Sequence, residues 1–130
     1  MIVADASTVA AAVLDAGAAG DEARQQLLTD EAHAPHLLDV EVLSVVRRHT
    51  LRGLLDSRAA RGGVAALRDL PVVRHGHDPL LDRALELRDS MTAYDAVYVA
   101  LAEVLGATLV TGDRGLSRAA GLRCAVTVIG

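Results

Sequence analysis

The sequence predicts an α/β fold, a three-layer α/β/α domain around a central, mostly parallel sheet of about four to five strands. Two observations carry this. Short apolar runs at residues 2–4, 71–74, 107–111 and 125–129 are too brief for helices, and amphipathic segments with helix start and stop signals separate them. The 130 residues, 52% of them hydrophobic, suffice for one buried core and not for two, so residues 1–130 form a single domain.

Each element has its own local cause. Residues 2–4 read as a buried strand, with Ser7 or Thr8 capping a helix that runs to Leu14. Gly17 and Gly20 mark a turn, and residues 21–31 continue as an amphipathic helix carrying Ala23, Leu27 and Leu28. Pro35 breaks the chain before a helix over 37–51 that Gly53 ends. Residues 54–70 are helical in pattern, although Gly62 and Gly63 weaken the middle. Strand 71–74 follows, then a helix opened by Asp78 at the cap and Pro79 at the first helical position. Residues 92–105 form a strong helix stopped by Gly106. Strand 107–111, a short helix over 114–120 and strand 125–129 complete the chain.

Composition removes several classes of chemistry. All 13 basic residues are Arg, so there is no Schiff-base lysine, P-loop lysine or phospho-acceptor lysine. The core is aliphatic, because Phe and Trp are absent and there are only 2 Tyr, which are expected to pack in the core. The net charge of −4 gives no general attraction for nucleic acid; any such contact must come from local arginines or bound metal. A single cysteine, Cys124, excludes an internal disulfide and suits a reducing cytoplasm. No basic-then-apolar leader is present, and no apolar run approaches the roughly 20 residues of a membrane span.

Four acids stand where folding alone explains them poorly. Asp5 and Asp113 follow the carboxyl ends of two predicted strands, where parallel α/β sheets bind ligands. Asp95 falls in the first turn of an apolar helix. Glu41 shares a helical stripe with Leu38, Val42 and Val45, facing inward with no Lys to pair with, although Arg47 or Arg48 along the helix could do so. Structural readings exist for each. Asp113 could cap the helix after it, Thr92 and Asp95 could form a capping box, and Asp5 could simply end a strand. These readings are compatible with chemistry, since a helix N-terminus keeps a carboxylate ionised, as a metal ligand must be. Brought together, four such groups repel strongly unless divalent cations neutralise them, so the residues read as a metal-dependent phosphodiesterase. His33 with His36, and His75 with His77, do not complete a zinc-type ligand set and are expected to face solvent. Arg47, Arg48 and Arg52, like Arg114 and Arg118, read as a solvated helix face and loop, with phosphate contact as the alternative.

The stretches MIVADAST, LLDVEVLSVVRRHTLRG and MTAYDAVYVALAEVLGATLVTGDRGLSRAAGL closely resemble the PIN-domain ribonucleases, in particular the VapC toxins of bacterial toxin–antitoxin pairs. The resemblance spans nearly the whole chain and is strongest at the first strand and over residues 92–122. It implies a PIN-like domain in which Asp5, Glu41, Asp95 and Asp113 are the acidic site residues, binding one or two Mg²⁺ or Mn²⁺ ions. It also implies hydrolysis of structured RNA, tRNA or rRNA. Thr111 matches a hydroxyl position of such sites, Ser7 is a helper, and Arg114 and Arg118 are candidates for RNA phosphate contacts. Some members carry a further acid shortly after the last Asp; here that place holds Leu116, so a second ion would be weakly held or arrive with substrate. The resemblance further implies a homodimer and a VapB-like antitoxin that lays a C-terminal segment over the site. Two rivals remain. A phosphatase of the haloacid-dehalogenase type needs an Asp where Ser7 stands and typically a Lys. A binding module that had lost catalysis would not need all four acids.

Overall fold

The computed structural model describes all 130 residues. Its elements are strands β1 (Ile2–Ala4), β2 (Ala32–Pro35), β3 (Val72–His75), β4 (Thr108–Thr111) and β5 (Val126–Val128). The helices are α1 (Ala6–Leu14), α2 (Ala18–Thr29), α3 (Leu37–Leu51), α4 (Ser57–Asp69), α5 (Leu81–Glu86), α6 (Ala93–Leu105) and α7 (Arg114–Ser117). The five strands form one sheet in the order β3-β2-β1-β4-β5, and every pairing is parallel. Helices α1 to α4 pack together, and α5 packs with α6, which also contacts β1, β2 and β4. The chain leaves β1 toward β2 and later returns to its other side as β4, so the strand order reverses between β1 and β4. That reversal opens a crevice at their carboxyl ends.

The central strands explain their burial by composition. Val3, Ala4, Leu109 and Val110 are at most 1% exposed, as expected of strands covered on both faces. Gly62 and Gly63 do not break α4. A Cβ at Gly63 would lie 2.6 Å from Leu14 Cδ2, so glycine there lets α4 approach the end of α1. Gly106, at φ 63°, closes α6 in the left-handed conformation.

The structure corrects several expectations. Residues 32–35, taken only as an approach to Pro35, form β2, a central strand of the sequence Ala-His-Ala-Pro. His33 does not face solvent: it is 6% exposed, with Nδ1 2.8 Å from His75 Nε2 and Nε2 2.8 Å from Glu31 Oε1. Its polarity is absorbed by these bonds, which is how a histidine sits inside a sheet. Helix α1 is capped by Asp5, not by Ser7 or Thr8. Thr8 is fully buried and its hydroxyl donates to the Val110 carbonyl. Asp78–Leu80 is a 3₁₀ turn before α5, preceded by His77, so Asp78 is not the cap. Tyr98 is a core residue as expected, but Tyr94 is 62% exposed.

Candidate active site

Asp5 is built into the switch point from both sides. Its backbone N–H donates to Val110 O on β4, fixing the end of β1. Its Oδ1 accepts from the Thr8 backbone N–H at 3.0 Å and from Ser7 Oγ at 2.6 Å, and its Oδ2 accepts from Thr111 Oγ1. The two hydroxyls then reach the next loop: Asp113 N donates to Thr111 Oγ1 at 3.0 Å, and Gly112 N donates to Ser7 Oγ at 2.9 Å. Ser7 and Thr111 therefore stitch the β1–α1 turn to the β4–α7 turn and set the spacing of Asp5 from Asp113. A Cβ on Gly112 would sit 3.2 Å from Ser7 Oγ, so glycine admits this close approach. Asp113 also caps α7 by accepting from Gly115 N at 2.8 Å.

The other two acids come from helices on opposite sides of the crevice. Asp95 stands in the first turn of α6, where its N–H donates to Thr92 Oγ1 at 3.3 Å; the reciprocal side-chain bond of a capping box is not made. That leaves the Asp95 carboxylate free for the cleft. Glu41 projects from α3, whose Leu38, Val42 and Val46 are buried. All four acids, with Ser7, Ser44, Arg48 and Tyr98, line one cleft of about 300 Å³. Arg48 is its one cation and takes part in no ion pair, so the arginine on this helix face looks into the crevice and not only to solvent. Arg114 and Arg118 are exposed at either end of α7, beside Asp113 in the chain. Leu116 is 5% exposed, so the place of a fifth acid is given to core packing.

The electrostatics follow from burial and crowding. Burial raises the Asp95 carboxyl above its ordinary value, and the Asp5 and Asp113 charges raise it further. Burial likewise raises Glu41, and the Asp95 and Asp5 charges add to it. The Tyr98 hydroxyl works the other way, favouring the ionised Glu41 from close by. Hydrogen-bonding geometry is nevertheless missed: Glu41 Oε1 and Tyr98 Oη are both buried and neither has a partner. Role assignment by sequence passed over Tyr98, because a tyrosine in an apolar helix reads as core. No three of the acidic or histidine groups converge at metal-bonding distance as they stand. The four carboxylates line the wall of the cleft.

A larger cleft of about 530 Å³ lies between α3 and α4, lined by Leu43, Val46, Ala60 and Val64 with Arg47, Arg61 and Arg68 at its rim. It contains no acid, so the acidic chemistry belongs to the smaller cleft.

This fold and acid placement coincide with a family match. The PIN domain model covers residues 2–122, and the chain belongs to the PIN-domain family. Within it the chain is 41% identical to a VapC ribonuclease of Mycobacterium bovis, over 99% of this chain and 98% of the relative. It is 39% identical to ribonuclease VapC1 of Mycobacterium tuberculosis, over 98% of this chain and 96% of the relative. The structure superposes with a TM-score of 0.73 on that of VapBC2 from Rickettsia felis bound to a DNA fragment from their promoter, covering 100% of both chains at 12% identity. That likeness speaks for the fold.

Proposed function

We propose that this chain is an endoribonuclease, the toxin half of a toxin–antitoxin pair, that hydrolyses RNA phosphodiesters with one or two Mg²⁺ or Mn²⁺ ions held by Asp5, Glu41, Asp95 and Asp113. The observation that carries the reading is the convergence of these four acids, from four separate stretches of the chain, on one cleft with Arg48 as its only cation. The donor set fits a hard divalent ion: it offers carboxylate oxygens and hydroxyls, with no thiolate or imidazole.

When bound, the ion supplies positive charge, which lowers the pKa of water and offsets charge developing on the phosphate. The protein's own part is positioning. Ser7, Thr8 N–H and Thr111 fix both oxygens of Asp5, and Thr111 carries that order to Asp113. Asp95 and Glu41 face them from α6 and α3. Arg48 in the cleft, and Arg114 and Arg118 exposed at the ends of α7 after Asp113, are suited to hold RNA phosphates, which matters for a chain of net charge −4. Water as nucleophile leaves a 5′-phosphate and a 3′-hydroxyl. A haloacid-dehalogenase-like reading fits poorly, because the second Asp it needs is Ser7, whose hydroxyl is committed to Asp5 and Gly112.

The partners follow from surface chemistry. The basic-rimmed apolar groove between α3 and α4 suits the C-terminal segment of a small antitoxin, with an Arg reaching the acids of the cleft. Exposed Leu81, Leu85 and Val104 offer apolar surface to a second copy, in keeping with a homodimer. No helix is long and apolar enough to cross a membrane, and one free cysteine suits the cytoplasm. The test is cleavage of tRNA and rRNA by purified protein. Activity that needs Mg²⁺ or Mn²⁺ and vanishes in Asp5→Asn and Asp95→Asn supports the reading; equal cleavage by those variants overturns it.

A further inference from the structure

The two buried polar atoms left without a partner, Glu41 Oε1 and Tyr98 Oη, lie on the same cleft. Tyr98 is 1% exposed, so water does not satisfy its hydroxyl from outside. Orphaned buried hydroxyls are uncommon because leaving one unpaired costs free energy, and each calls for a physical explanation. The helix supplies the geometry. Tyr98 follows Asp95 by three residues on α6, so both side chains leave the same face and meet α3 at Glu41. Two groups that each need a partner are thus presented to one another, one on each wall of the cleft.

We infer that Tyr98 is a positioning residue for Glu41: on cation binding its hydroxyl donates to the Glu41 carboxylate and holds the other carboxylate oxygen toward the ion. The inference rests on the cation-site reading above. The two orphaned atoms face each other from α6 and α3, and a single bond would join them. Forming it satisfies both atoms and removes a rotational freedom that a glutamate on a long side chain otherwise keeps. Without the hydroxyl, Glu41 would have to be held by the ion alone. A partner that orients a metal ligand in this way typically contributes about 10- to 100-fold in metal affinity.

Tyr98→Phe keeps the ring and deletes only the hydroxyl. Mn²⁺ affinity, measured by calorimetry on the unliganded protein, is expected to fall about 10-fold or more, while the melting temperature without metal stays the same or rises, because an unpaired hydroxyl has gone. A merely structural tyrosine would give the opposite pair of results. Intrinsic fluorescence provides a second readout, since the chain has no Trp and 2 Tyr. In a Tyr94→Phe background Tyr98 is the only emitter, and Mg²⁺ should lower its emission as the hydroxyl engages a carboxylate. Glu41→Gln separates the two levels of the argument. If the parent binds Mn²⁺, Glu41→Gln loses it and Tyr98→Phe keeps full affinity, the role of Tyr98 is overturned and the cation site stands. If the parent itself binds no Mn²⁺, both are overturned.

Discussion

Replacing Thr111 with valine removes one oxygen and keeps the shape of the side chain. Thr111 is fully buried, and its hydroxyl makes two bonds, donating to Asp5 Oδ2 and accepting from Asp113 N. Asp5 is 8% exposed, so water cannot fully replace the lost donor. A hydrogen bond to a charged group contributes about 1.5–3 kcal/mol, and the extra buried methyl returns roughly 0.8 kcal/mol. A net loss of roughly 1–2 kcal/mol follows. Unfolding entropy of about 2.1 cal/mol/K per residue gives roughly 0.27 kcal/mol/K for 130 residues, so the melting temperature should fall by about 4–7 °C. Cleavage of RNA should fall at least about 10-fold, because Asp5 and Asp113 lose their common reference. Thr111→Ser keeps the hydroxyl and should recover most of the activity. Thermal denaturation and initial cleavage rates on the three proteins test this. A valine variant that melts and cuts like the parent would refute the view that Thr111 holds the two acids in register.

Asp95→Asn should abolish cleavage yet leave the metal-free protein as stable or more so. Because the Asp95 and Glu41 values are raised on folding, the folded state binds the extra protons, and metal-free stability falls as pH rises from the ordinary carboxylate range through their raised values; denaturation from acid to neutral pH should show a shallower fall in Asp95→Asn. Mn²⁺ at 100 times its dissociation constant should stabilise the parent by about 2.7 kcal/mol, a shift near 10 °C on the same entropy, and Glu41→Gln should lose that shift. A cationic antitoxin segment and a divalent ion neutralise the same carboxylates, so antitoxin affinity should fall as Mn²⁺ is added to the purified complex and recover with EDTA; affinity indifferent to metal and to Asp113→Asn would place inhibition elsewhere.

Much of this was legible in the chain because the pattern and the physics agree. The β1 and β4 runs are apolar, and each is followed by an Asp that both caps a helix and faces the switch point, so one residue answered two questions. The cap of α1 was misread for the same reason: Asp5 serves as cap and site together, and Ser7, the expected cap, is spent on bracing it. Strand β2 escaped because Ala-His-Ala-Pro has little β-propensity, and its place is set by pairing with β1 and β3, which are distant in the chain. Glu41 was conspicuous as a charge on a buried stripe. Tyr98 was not, since only its contacts separate a core tyrosine from one aimed into a cleft. In sequence Arg48 reads as part of a solvated face or as a partner for Glu41; the fold puts it on the cleft with no ion pair.

The most direct test of the central claim is the origin of the oxygen at the cut. Purified protein should cleave RNA in ¹⁸O-labelled water with Mg²⁺ or Mn²⁺ present, and mass spectrometry of the fragments reads the ends. A cation-dependent hydrolytic site built from Asp5, Glu41, Asp95 and Asp113 predicts a single ¹⁸O in each new 5′-phosphate and an unmodified 3′-hydroxyl. Fragments ending in a 2′,3′-cyclic phosphate, with no label on the 5′ side, would show attack by the ribose hydroxyl and contradict it.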